Sequence, residues 1–185
     1  MTDQGFQKAS RTVLDEISRA LGQVDPAQVA ALEAAVLSAQ AVFVVGAGRS
    51  GLVGRCFAMR LAHLGLRCHV VGETVTPPVG PGDLVVALTR AGETPTTCAA
   101  AEAAAKAGAK VIVITAAADS PLARGAHAKV VIPTNTKADG VNSAQYGGSL
   151  FEQALLVMLD TIALRLQSRL AQTSPEMDAR HANLE

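Results

Sequence analysis

The stretch that decides the fold is Val42-Phe43-Val44-Val45-Gly46-Ala47-Gly48-Arg49-Ser50-Gly51. Val42–Val45 is apolar and mostly β-branched, the pattern of a short buried strand. The glycines then turn the chain, and Leu52 to Leu64 reads as a helix. Glycine at a strand-to-helix turn permits positive φ and lets a ligand approach the backbone closely. The helix start adds unpaired N–H groups and the positive end of a dipole. With a charge from Arg49 and a hydroxyl from Ser50, the turn suits an anion, most often a phosphate, better than a plain tight connection.

Outward from this turn, short apolar runs alternate with helical patterns. Upstream, Phe6 to Leu21 carries Val13, Leu14, Ile17 and Leu21 at helical spacing. Asp25-Pro26 opens a second helix that runs towards Gln40, with Asp as cap and Pro at the first helical position. Downstream, Gly65 suits the C-terminal cap of the third helix, and Arg67 to Val71 is the second strand. Leu84–Leu88 is the third strand, and an Ala-rich helix ends near Gly108. Lys110–Ile114 and Lys129–Ile132 are the fourth and fifth strands, separated by a short helix opened by Ser120-Pro121. An irregular stretch from Pro133 to Gly148 precedes a strong last helix, Ser149 to about Leu170.

Continuous apolar strands separated by helices indicate βαβ units and an enclosed parallel sheet. The expectation is a three-layer α/β/α domain with a five-stranded parallel sheet in the order 2-1-3-4-5. Residues 1–40 form N-terminal helices, 41–172 the core, and 173–185 a polar tail, within a single domain. Ligands of such sheets sit beyond the carboxyl ends of the strands. The third strand ends in a second special turn, Thr89-Arg90-Ala91-Gly92-Glu93-Thr94-Pro95, at the same edge as the first. Together the two turns make a cradle.

Composition narrows the functions. Sixteen basic residues balance sixteen acidic ones, so nothing favours nucleic acid or a membrane surface. There is one Tyr and no Trp, too few aromatics for base-stacking platforms. Cys56, Cys68 and Cys98 have no metal-ligand spacing and no CxxC pair, and read as buried thiols of a reducing cytosol. No apolar run is long enough to span a bilayer, and the polar start resembles no signal peptide; a soluble cytoplasmic protein is expected.

One rival reading is a dinucleotide-binding oxidoreductase. Gly46-x-Gly48-x-x-Gly51 matches the fingerprint, and Glu73 stands where a ribose-binding acid belongs. A lone match is weak, little chain remains for a separate substrate domain, and the second turn has no role in that scheme.

The two turns resemble those of the sugar isomerase (SIS) domain. Val71-Gly72-Glu73-Thr74-Val75-Thr76-Pro77, Gly82-Asp83-Leu84, Gly92-Glu93-Thr94, Gly148-Ser149-Leu150-Phe151-Glu152 and Arg180-His181-Ala182-Asn183-Leu184-Glu185 sharpen the resemblance to the 6-phospho-3-hexuloisomerase family across essentially the whole chain. That resemblance implies interconversion of D-arabino-hex-3-ulose 6-phosphate and fructose 6-phosphate, in the ribulose monophosphate pathway of formaldehyde fixation. It also implies a homotetramer with sites shared between subunits, a 3-hexulose-6-phosphate synthase as pathway partner, and no cofactor or required metal. A non-catalytic SIS phosphosugar sensor is the other rival, although the N-terminal helices are too few and too neutral for a DNA-binding domain.

The chain departs from the family in two places. Its second turn reads Thr89-Arg90-Ala91-Gly92-Glu93-Thr94 where the family usually has Ser-Gly-Ser-Gly-Glu-Thr. A lost neutral hydrogen bond costs about 0.5–1.5 kcal/mol and a charge-assisted one is worth about 1.5–3 kcal/mol; an inward-pointing Arg90 therefore compensates for the hydroxyl that Ala91 lacks. Gln145-Tyr146-Gly147-Gly148-Ser149 also lacks the family's proline.

By resemblance, Glu152 is the catalytic base and His181 the acid/base acting on the sugar oxygens or opening the ring. Without it, Glu152 reads as a first-turn acid complementing a helix dipole, and His181 as a solvated tail residue. The phosphate- and substrate-binding candidates are Gly48, Arg49, Ser50, Thr89, Arg90, Gly92, Glu93 and Thr94, the backbone N–H groups near Gly92 and Glu93 included. Ordinary N-capping is the competing role of the hydroxyls. Arg49 has three open roles: binding phosphate, contacting the sugar, or pairing with Glu73 or Glu93. His63, His69 and His127 read as structural. The apolar N-terminal helices and the last helix, with Leu155, Leu156, Leu159, Ile162 and Leu166, carry more apolar surface than a small sheet covers, and a share of it is expected at a subunit interface.

Overall fold

In the computed structural model, residues 4–134 and 143–184 are described; residues 1–3, residues 135–142 of the irregular stretch before the last helix, and Glu185 lie outside them. The elements in chain order are α1 (Gln4–Gly22), α2 (Pro26–Ser38), β1 (Val42–Gly46), α3 (Gly48–His63), β2 (Cys68–Val70) and β3 (Leu84–Leu88). They continue with α4 (Pro95–Lys106), β4 (Lys110–Thr115), α5 (Pro121–Gly125), β5 (Ala128–Val131), α6 (Ser149–Arg169) and α7 (Ser174–Asp178). The five strands form one parallel sheet in the expected order β2-β1-β3-β4-β5.

Successive strand residues point to opposite faces, and two cores follow. Val42, Val44, Leu84, Val86, Leu88, Ile112 and Ile114 pack with residues of α1, α2, α3 and α6. Phe43, Val45, Val85, Ala87, Val111 and Val113 pack with α4 and α5. The result is three layers. Asp25 caps α2 by accepting from the Ala27 N–H at 2.8 Å. The end of α3 closes on Gly65, at φ +81°, with the Gly65 N–H on Ala62 O at 2.9 Å and the Leu66 N–H on Leu61 O at 3.0 Å.

The structure corrects several expectations. α3 starts at Gly48 rather than Leu52, because Gly48, at φ +57°, lets the helix begin directly after β1. Leu14 of α1 is exposed; the face that α1 turns inward runs instead through Val13, Glu16, Ile17 and Ala20. Leu155, Leu159, Ile162 and Leu166 are fully enclosed within the chain, and Leu156 is half-buried. α6 packs between α1, α2 and α3, so Leu155, Leu159, Ile162 and Leu166 have no free face to offer a partner. Cys56 is exposed rather than buried, whereas burial pushes the Cys68 thiol up to about 12 against a backbone hydrogen bond from His69. The tail carries the short helix α7, whose start is set by the Thr173 N–H donating to Glu176 Oε2 at 2.8 Å.

Two buried carboxylates tie α6 to the N-terminal helices. Glu33 of α2 takes Arg165 Nη2 at 3.2 Å and Arg169 Nη1 at 3.4 Å, in the last turns of α6. Glu16 of α1, 6% exposed, accepts from Ser143 Oγ at 2.6 Å, the Ala144 N–H at 2.8 Å and Gln145 Nε2 at 3.0 Å. Burial works to raise the Glu16 carboxyl, but these three donors and the Arg19 charge outweigh it and hold it below its ordinary 4.5. A depressed carboxyl contributes stability that is complete above its unfolded value and lost as the pH falls through its folded one. Glu16→Gln should therefore melt below the native chain at pH 7, with the gap closing in acid below 4.5; melting curves across pH check this.

Candidate active site

The register Gly46↔Leu88 sets the two turns side by side at the carboxyl edge of the sheet. The first is shaped by backbone contact. A Cβ on Gly51 would lie 2.4 Å from Gly46 O, and one on Gly46 would lie 3.1 Å from both Gly51 Cα and Leu88 O. Only glycine permits α3 to start this close to β1. At Gly48, by contrast, a Cβ would meet nothing within 4 Å, so this side of the turn is open to a ligand. Ser50 is not the cap of α3, a place held by Ala47. That removes the ordinary explanation for its hydroxyl.

The second turn is held from below. Arg90 O accepts from Thr115 Oγ1 and from the Ala116 N–H, both at 3.0 Å. Gly92, at φ +69°, leaves room for Ser120, whose Oγ would stand 1.9 Å from an added Cβ. Thr89 is buried and accepts from the Gly92 N–H at 3.2 Å, and its hydroxyl lies 2.9 Å from Thr94 Oγ1. The Gly92 N–H is thus spent inside the turn rather than on a ligand. Thr94 is the N-cap of α4 but makes no side-chain cap bond. In the order Gly92 N–H to Thr89 O–H to Thr94 O–H, the last proton is left for a ligand. Glu93 borders an open pocket of about 570 Å³ beyond β4, with Asp119, Ser120 and Arg124.

The N-terminus of α6 meets both turns. Arg49 Nη1 stands 2.9 Å from Glu152 Oε2 and donates to Ser149 Oγ at 2.9 Å. Arg49 therefore pairs with neither Glu73 nor Glu93; Glu73 is engaged by Arg55 of α3, away from the role of a ribose-binding acid. The Glu152 side chain is 17% exposed and that of Arg49 55%, a carboxylate in a recess with its cation at the rim. Arg90 reaches the same place. A Cβ on Gly148 would lie 3.4 Å from Arg90 Nε and 3.3 Å from Glu152 Oε1. Two guanidinium groups and one carboxylate therefore gather at the start of α6.

His181 lies elsewhere. Its ring stacks on that of His63, with centroids 5.0 Å apart and planes at 28°. Arg180 Nη1 holds the tail there by donating to His63 O at 3.0 Å and Gln172 Oε1 at 2.7 Å. Burial, then the charges of His181 and Arg60, push the His63 imidazole down against Asp178. This is the far end of α3, whose sixteen residues span about 24 Å. A single chain does not bring His181 to Glu152.

Among the described residues no three His, Cys, Asp or Glu side chains group as metal ligands do, and no helix is long and apolar enough to cross a membrane. Sequence reasoning missed Ser149 as the partner of Arg49, Glu16 as the anchor of the lead into α6, and His63 as the seat of the tail. For Glu16 a signal existed: a carboxylate on the inward face of an amphipathic helix.

Fold and site together define a three-layer α/β domain whose helix N-termini gather at the carboxyl edge of a parallel sheet. Residues 35–157 match the SIS domain. The chain is 45% identical to the 3-hexulose-6-phosphate isomerase of Mycobacterium gastri, over 94% of this chain and 88% of the relative. It is 35% identical to the 3-hexulose-6-phosphate isomerase of Bacillus subtilis (strain 168), over 94% and 95%. It also resembles a solved Methanococcus jannaschii protein whose structure infers that same function, with TM-score 0.83, 28% identity and coverage of 93% and 98%. The chain belongs to the SIS-domain family, among its 3-hexulose-6-phosphate isomerases.

Thr94→Val should leave the turn standing, because the Thr89 hydroxyl keeps the Gly92 N–H; the cost in stability is about 0.5–1.5 kcal/mol. Phosphate competition against a bound phosphosugar should weaken several-fold in that variant, which calorimetric titration measures.

Proposed function

We propose that this chain interconverts D-arabino-hex-3-ulose 6-phosphate and D-fructose 6-phosphate, with Glu152 as the base. The observation that carries the residue assignment is the recessed Glu152 carboxylate, met by Arg49 where the two turns and α6 converge. The reaction moves a carbonyl from C3 to C2. A base takes the proton from C2, an enediolate forms across C2 and C3, and the proton returns at C3 while another passes from O2 to O3.

The phosphate has its partners in the open first turn of α3, with Gly48 and Ser50, and in the outward Thr94 hydroxyl. Helix N-termini favour its charge without any reorganisation at the moment of binding. Arg49 and Arg90, flanking Glu152, are placed to stabilise the oxyanion of the enediolate as it develops. The Arg90 side chain takes over the contribution of the serine the family has at Ala91. A 3-ketose with its O6 phosphorylated cannot close a five-membered ring, so the forward reaction starts from the open chain.

His181 completes the site from a neighbouring copy in this reading, since its own Glu152 is about the length of α3 away. Support comes from exposed Leu52 and Met59 on α3 and Val157 and Leu164 on α6. Each pair is seven residues apart, two turns along one helix face, and α3 packs on α6. Burying those side chains between copies removes about 1.5–3 kcal/mol of exposed apolar surface per large residue. We infer a cytoplasmic homotetramer of single-domain chains. It would act after a 3-hexulose-6-phosphate synthase in formaldehyde fixation by the ribulose monophosphate pathway.

The test is a coupled assay: the 3-hexulose phosphate is made in situ from ribulose 5-phosphate and formaldehyde, and fructose 6-phosphate is followed. Glu152→Gln should abolish turnover while phosphosugar still binds; full activity in that variant rules out Glu152 as the base. His181→Ala should reduce turnover with the melting temperature nearly unchanged, and unaltered kinetics would clear His181 of any role.

A further inference from the structure

Glu16 sits outside the site, yet everything it holds leads into the site. Its carboxylate takes three donors in a row, Ser143 Oγ, the Ala144 N–H and Gln145 Nε2. The segment is also cross-braced, because the Gln145 N–H donates to Ser143 Oγ at 3.0 Å. Only Tyr146, Gly147 and Gly148 separate this anchor from Ser149, the first residue of α6. Gly147 turns at φ +62°, the Ser149 N–H reaches back to Tyr146 O at 3.3 Å, and the Glu152 N–H takes Gly148 O at 3.1 Å. All three partners of Glu16 are donors, so an ionised carboxylate satisfies them and an amide does not. Arg19, one turn on along α1, is the cation nearest in chemistry to this group.

We propose that Glu16 is a positioning residue for the isomerisation: from α1 it fixes residues 143–145, and through them the place of Ser149 and Glu152 against Arg49. The proposal rests on the reading of Glu152 as the base. Its physical basis is the steep dependence of proton transfer on placement, where a displacement of about 1 Å costs on the order of a hundredfold in rate. A buried carboxylate with three donors is a stiff anchor, because removing it strands three donors at once.

The chain supplies its own reporter. Tyr146 is the one tyrosine in a chain without tryptophan, it adjoins the anchored segment, and it is 94% exposed. Glu33 supplies the control, since it is equally buried but clamps the opposite end of α6. In Glu16→Gln, kcat should fall about tenfold or more with KM changed less than about threefold, and Tyr146 fluorescence anisotropy should drop. Glu33→Gln should lose stability while keeping kcat within about twofold below its melting temperature and leaving Tyr146 unchanged. Ser143→Ala removes one donor, keeps Glu16 charged, and should give a smaller fall in kcat; it serves if Glu16→Gln does not fold. Native kcat in Glu16→Gln, or in Ser143→Ala where that variant stands in, overturns the proposal, as does an equal loss of kcat in Glu33→Gln. If the native chain does not turn over the 3-hexulose phosphate, the isomerase reading fails instead. In that case an unchanged Tyr146 signal in Glu16→Gln still overturns the anchoring.

Discussion

The backbone of β1 touches the backbone of α3 at Gly46 and Gly51, and the rest of the site depends on that contact. With a side chain at Gly51 the approach is closed by an atom 2.4 Å from a carbonyl oxygen. With glycine, the first turn of α3 stands directly on the sheet edge, beside Leu88 and the turn after β3. Gly54, a turn further on, continues the approach: a Cβ there would lie 2.8 Å from side-chain atoms of Leu88 and Val44. A wider α3 would carry Arg49 away from Glu152 and separate the two turns.

Charge is arranged around this contact with some care for cost. Burying an unpaired carboxylate is expensive, and the chain buries its acids only with donors at hand. Glu33 has two guanidinium groups, Glu16 has a hydroxyl and two amides, and Glu152 has Arg49. Glu152 differs from the other two in being more exposed. Its cation stands at the rim, where an anionic ligand competes for it. In the proposed function the anion is met by helix N-termini and hydroxyls, groups whose attraction needs no compensating burial of charge.

α6 carries these two requirements through the molecule. Its inner face is sealed in the core, its first turn forms a wall of the site, and its last turns are clamped by Glu33. The tail then returns to the end of α3 and is fastened by Arg180 to His63 O, Gln172 and Glu176. α3 and α6 therefore begin together at the site and end together at the tail, so Glu152 and His181, the two groups proposed for the chemistry, stand at opposite ends of α3 within one chain.

Most of the architecture is legible in the residues. Short β-branched runs, Asp25-Pro26, Ser120-Pro121 and Gly65 act through local backbone preferences, and the parallel sheet follows from their alternation; its order came with the resemblance to the SIS domain. The first turn, the hydroxyls of the second and the place of Glu152 in the first turn of α6 are local too. Only the tertiary structure decides which side chain each of these meets. Arg49 finds Ser149 a hundred residues away, and Glu16 finds Ser143 at a separation of 127. Arg90 turns towards Gly148, Thr89 spends its hydroxyl inside its own turn, and Leu155, Leu159 and Leu166 of α6 disappear into the core. These outcomes depend on how distant elements pack. Spacing along the chain sets which face a residue occupies, and packing across the chain sets what that face touches.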